Sequence, residues 1–201
     1  MKLMKKVLAF SLVLIMLVAL VSCGKSDFQK LNEKLAAENP NYKIAMKIAM
    51  TGANMEMTME LDGKKVHGTN IPLVGEIYSE ETNEGSWGYF YDEDAKKWYK
   101  SFTPKAEEDE EDTMMPFDLN TLKEEDFEKK DGKYVLKAEK AKDYEVTEMT
   151  ITIGKGAKTA TIEAKGDMGG MTASMTVTIS EFGKVSVKLP EAEEIKEDES
   201  F

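Results

Sequence analysis

Arginine is absent from the 201 residues; all 27 basic side chains are lysine. Without the planar guanidinium fork, the chain lacks the usual bidentate reader of phosphate and guanine. Its 38 acidic residues outnumber the lysines and set a formal charge of −11. That balance excludes nucleic acid and makes anionic lipid headgroups a poor match. Cysteine occurs once, as Cys23, so no disulfide framework or thiol chemistry is expected in the remainder. Histidine also occurs once, as His67, and one histidine without cysteines does not make a zinc site. No carboxylate stands at a useful spacing beside it in sequence, and it reads as an exposed structural residue. The patterns G-x-S-x-G, S-x-x-K and H-E-x-x-H are all missing. The chain is expected to be no enzyme and to hold no metal and no dissociable cofactor.

What is present begins at the N-terminus. Lys2, Lys5 and Lys6 precede an apolar run from Val7 to Val21 that only Ser11 interrupts. Fifteen residues suit a signal-peptide core and fall short of the roughly 20 that span a bilayer. The run ends in Leu20-Val21-Ser22-Cys23-Gly24, which resembles the lipobox of bacterial lipoproteins. That resemblance implies cleavage before Cys23, a diacylglyceryl group on its sulfur and an N-acyl chain on its new amino terminus. It implies a membrane partner through the lipid anchor and a place on the extracytoplasmic face of the cell membrane. The other reading is a plain secretory peptide or membrane anchor in which Cys23 is incidental. With residues 1–22 removed, 24 lysines face 38 acidic residues, a formal charge of −14.

Residues 23–40 read as a lipidated terminus and a helix: Ser26 or Asp27 caps it, Phe28, Leu31 and Leu35 share a face, and Asn39-Pro40 stops it. From 41 to 190 a period of two prevails, broken by Gly-rich turns, with about ten strands in an antiparallel meander. The expected class is mainly β (α+β): a curved antiparallel sheet or half-open β-barrel, with the N-terminal helix and one short mid-chain helix in "PFDLNTLKEEDF". An acidic loop at 105–116 contains "EEDEED" and lacks the glycine and spaced ligands of a calcium loop. Residues 191–201 read as an acidic disordered tail. Trp87, Tyr89, Tyr91 and Trp98 alternate on a hairpin, a pattern of cross-strand packing more than of a sugar platform.

The unusual feature is methionine. Met55, Met57 and Met59, followed by Leu61, take every other position of "NMEMTMELDG", and Tyr42, Ile44, Met46, Ile48 and Met50 do the same before it. A period of two places each set on one strand face and sends Glu56, Thr58 and Glu60 to the other. Methionine is flexible and polarizable, so a concave face lined by it accommodates varied apolar ligands; an ordinary core is the competing reading. Met175, Val177 and Ile179 continue the same lining.

The lipobox, the N-terminal helix, the long meander with a helix midway and the closing "ISEFGKVSVKLPE" are together similar to the LolA/LolB-like lipoproteins, which include the LppX and LprG type. The resemblance spans about residues 27–190 and implies a half-open barrel whose cavity accommodates lipid or acyl chains. Members that hand over lipoproteins use an arginine near the lid, so this chain is expected to bind a lipid or other apolar ligand without that hand-over. The alternative is a cell-envelope interaction module with a filled core that binds a protein or cell-wall partner.

Overall fold

The computed structural model describes residues 24–105, 119–168 and 171–195. Cys23, the leader and all of the acidic loop but Lys105 lie outside the described residues.

Helix α1 (Asp27–Leu35) starts where its sequence provides a capping box. Ser26 Oγ accepts from Gln29 N at 3.0 Å, and Gln29 Oε1 accepts from Ser26 N at 3.1 Å. Nine residues are too few for a stable isolated helix, so α1 depends on its buried face of Phe28, Leu31 and Leu35. Lys34, in the last turn, donates to the Gly156 and Ala157 carbonyls. Asp27 Oδ1 accepts from Gly156 N at 3.2 Å and Lys30 Nζ at 3.1 Å.

Among the described residues, twelve strands follow. They are β1 (Asn41–Met50), β2 (Ala53–Asp62), β3 (Lys65–Ile71), β4 (Gly75–Glu81), β5 (Gly85–Asp92) and β6 (Lys97–Pro104). After the middle of the chain come β7 (Phe127–Lys130), β8 (Lys133–Leu136), β9 (Glu148–Ile153), β10 (Ala160–Met168), β11 (Met171–Ser180) and β12 (Glu193–Glu194). All twelve join one open sheet in the order β12-β6-β5-β4-β3-β2-β1-β11-β10-β9-β8-β7. Neighbours are antiparallel apart from β12, which runs parallel to β6. The fold class is mainly β, with the N-terminal helix and a short mid-chain helix. The latter consists of 3-10 turns at Leu119–Thr121 and Glu124–Asp126. Part of the segment that reads as a disordered tail is therefore paired: Glu193 opposes Tyr99 and Glu194 opposes Lys100.

Register turns the period of two into two chemically different faces. On the inner face one row runs Ile153, Ala160, Ile179, Ile44, Met59, Gly68, Ile77, Phe90, Tyr99 across nine strands. The next runs Tyr134, Ile151, Ile162, Val177, Met46, Met57. The outer face opposite these rows carries Thr152, Thr161, Thr178, Thr58 and Thr69 along with lysines and glutamates. Gly68 interrupts the first inner row for a steric reason. A Cβ there would sit 2.9 Å from Ile77 Cγ1 and 3.2 Å from two atoms of Ile71, which fold over it.

The core lies against one part of the inner face. Phe28 of α1 packs on Phe127 and Tyr134, and Leu119, Leu122 and Tyr144 join the same buried cluster. The one buried charged side chain among the described residues, Asp126, holds this cover in place. It accepts from Tyr144 Oη at 2.8 Å and faces Lys140 Nζ at 3.5 Å. The hydrogen bond from Tyr144, then Lys140, keeps its carboxyl below the usual range, while burial pushes the Tyr144 phenol up to about 12.

Candidate functional site

The inner face divides into a fully buried part and a partly buried part. Ile44, Met46, Met57, Met175, Val177 and Ile179 are buried in the core cluster. Ile48, Met59 and Leu61 are partly buried and pack at its margin. Met50 and Met55 are also partly buried, but neither belongs to the cluster. The structure thus brings every expected lining residue to one face, and it splits them between core and margin. The cover explains the split: α1 packs on β9 and on the turns at 119–121 and 155–157, away from β3–β6. Beyond the margin the apolar row continues through Ile77, Phe90 and Tyr99, all partly buried.

The register also places one rim of this face. β3 runs back along β2, so its turn to β4 lies at the same sheet end as the β1–β2 turn, where Met50 and Met55 stand. That turn carries Leu73 and Val74, both exposed large apolar side chains. Leu73 has a left-handed φ of 70°, which a branched side chain adopts only under strain.

The outer face of β3–β6 carries the titratable groups. His67 is not the exposed, solitary residue expected from sequence; its side chain is 20% exposed and stands between two carboxylates. Its Nδ1 lies 3.1 Å from Glu60 Oε2 and its Nε2 lies 2.9 Å from Glu76 Oε1. Both contacts are hydrogen bonds only when the ring carries both protons. The partners are seven and nine residues away in sequence, and strand pairing alone brings them together. Lys43 donates to Glu60 at 3.0 Å, and these hydrogen bonds, Lys43 first and His67 second, depress the Glu60 carboxyl. Tyr78 Oη donates to Glu76 at 3.0 Å, and burial followed by that glutamate raises its phenol.

Next to this chain is an aromatic band. The His67 and Tyr78 rings stack with centroids 4.3 Å apart, Tyr78 meets Trp98 edge-on at 5.2 Å, and Trp98 meets Tyr91 at 5.4 Å. Trp87 contacts Phe102 at 5.0 Å. The alternation over 87–98 marked part of this band. Trp98, Lys100 and Phe102 alternate just as Trp87, Tyr89 and Tyr91 do, but local spacing does not tie Tyr78 to either set. Two clefts flank the β6–β12 edge, one of 420 Å³ beside Trp98 and Glu193 and one of 440 Å³ beside Trp87 and Glu194.

Among the described residues, no three His, Cys, Asp or Glu side chains converge as metal ligands, and no helix is long and apolar enough to cross a membrane. No protein-family model matches the chain, and no curated protein matches its sequence.

Proposed function

We propose that the chain is a membrane-anchored bacterial lipoprotein, held by acyl chains on Cys23 at the extracytoplasmic face. In this reading it binds a lipid or other apolar ligand on the inner face of its sheet and catalyses no reaction. The finer expectation of a LolA/LolB-like carrier belongs to the same proposal. The observation that carries it is the apolar inner row that runs on past the fully buried core through the partly buried Met59 and Ile77. Met50 and Met55 at its margin supply side chains that re-pack around differing acyl chains at little cost. Leu73 and Val74 extend the apolar rim at one sheet end.

The test is mass spectrometry of organic extracts from the purified full-length chain, alongside palmitate labelling of Cys23→Ala. A co-purifying lipid that is lost on Met55→Glu, together with unlabelled, uncleaved precursor in the Cys23 variant, is the expected result. Extracts free of apolar molecules would reject the ligand-binding half; normal labelling of Cys23→Ala would reject the anchor. The aromatic band on the outer face favours a second reading, an envelope interaction module with a filled core. In that case the extracts are empty and Met55→Glu is silent.

A further inference from the structure

The 440 Å³ cleft at the end of β6 is lined by Thr82, Asn83, Glu84, Trp87, Phe102 and Glu194. Its volume falls within the range of small-molecule sites. Trp87 and Phe102 stand opposite each other in register, with ring planes 51° apart, and form an aromatic corner. Thr82 Oγ1 and Asn83 Oδ1 in the lining already have partners. Thr82 Oγ1 donates to the Gly85 carbonyl at 2.9 Å and accepts from Glu84 N at 3.3 Å, while Asn83 Oδ1 accepts from Lys64 at 3.3 Å. The two carboxylates are different. Among the described residues, neither Glu84 nor Glu194 has an ion pair or a side-chain hydrogen bond, whereas adjacent Glu193 is paired with Lys97 at 2.8 Å. No basic side chain lines the cleft.

The indole already shows what it accepts. Lys100 Nζ sits 4.4 Å from the Trp87 ring centroid, and Lys100 is not part of the cleft lining. An electron-rich ring attracts a cation over its face, most strongly when the cation is weakly hydrated. Two unneutralised carboxylates beside it add attraction at longer range. An anion would be repelled here, and a neutral apolar ligand would strip water from the carboxylates without compensating them. Of the neutral groups a sugar could use, Thr82 Oγ1 and Asn83 Oδ1 are already engaged. We propose that this cleft binds a small alkylated ammonium group, choline-like in chemistry, between Trp87, Phe102, Glu84 and Glu194. Such a group comes either as a free quaternary amine or as the headgroup of a lipid.

The experiment titrates the full-length chain in detergent with choline and with 3,3-dimethylbutan-1-ol, its uncharged isostere, by calorimetry. Choline is expected to bind saturably and the alcohol roughly tenfold or more weakly, the size of a cation–π contact in a partly desolvated site. Glu84→Gln combined with Glu194→Gln, both exposed and without a side-chain partner among the described residues, should weaken choline by a similar factor without altering the circular dichroism spectrum. Trp87→Leu should abolish binding, and Trp98→Leu should leave it unchanged. Absence of choline binding, equal binding of the alcohol, or unchanged affinity in the double variant would each overturn the site. Saturable binding of a neutral oligosaccharide in place of choline would overturn it too. Competition with dihexanoyl phosphatidylcholine identifies the source: stronger displacement by the lipid assigns the headgroup, and weaker displacement assigns the free amine.

Discussion

Met46 of β1 and Met57 of β2 stand directly opposite each other in register and are both buried, 2% and 8% exposed. Two residues along the same face, Met55 lies outside the core cluster. Identical side chains on one strand thus have different surroundings, and the difference is measurable. Met57→Ala should cost about 2–5 kcal/mol, because the deleted atoms leave a void in packed surroundings. Met55→Ala should cost less than about 1 kcal/mol. Urea unfolding of both variants checks this. Equal costs would mean that the helix and turns do not divide the inner face as described.

The Asp126–Tyr144 pair makes stability depend on pH at both extremes. The carboxyl is depressed below its ordinary 3.8, so its contribution is present above that value and lost as pH falls through the lower folded value. The phenol is raised from 10.0 to about 12, so its contribution is present below pH 10 and lost as pH rises through about 12. Tyr144→Phe leaves the buried carboxylate without its shortest hydrogen bond and should cost about 1.5–3 kcal/mol at neutral pH. The difference from wild type should be flat between these limits and shrink outside them. Denaturation curves collected across pH would show a constant difference throughout if the pair is unimportant.

Gly68 is expected to tolerate no side chain. Gly68→Ala drives a methyl against Ile77 and Ile71, and overpacking of this kind costs about 1–3 kcal/mol. Ile77→Ala in the same chain removes Cγ1, the atom in closest contact, and should make the Gly68→Ala change less costly than it is alone. A double-mutant cycle with no coupling would refute the close packing of this row.

The helix cap offers a smaller, separate test. Ser26 Oγ accepts from Gln29 N and donates to Glu124 at 2.7 Å, tying α1 to the mid-chain 3-10 turn. Ser26→Ala should cost about 1 kcal/mol. Ser26→Asp keeps the cap but opposes Glu124 with a like charge, so it should recover less than the full loss. Thermal unfolding of the two variants separates capping from the tie.

Much of the sheet was legible because the relevant information is local. Alternation at 42–50 and 55–61, with Thr51-Gly52 between, leaves one register in which both apolar sets share a face. The α1 boundary was legible for the same reason, although the helix ends at Leu35, before the Asn39-Pro40 stop. His67 reads as solitary in the sequence because its partners come from neighbouring strands, and spacing along one strand carries no record of which carboxylates strand pairing brings alongside. The 87–91 alternation was legible as packing, but its extension to Tyr78 and Phe102 required the strand order.

By itself, then, the sequence determined a mainly β chain with an apolar and a polar sheet face, an N-terminal capped helix, and an acidic, arginine-free surface. These properties follow from side-chain period, capping chemistry and composition, all of which act within a few residues. Only the tertiary structure decided which stretch of the apolar face became core. That depends on where α1, the turn at 119–126 and Tyr144 come to rest, with α1 on β9 more than a hundred residues away in the chain. It likewise decided that Glu194 would pair beside β6 next to the Trp87 corner. A two-residue parallel strand has no periodicity of its own, and its place is set by the edge it meets.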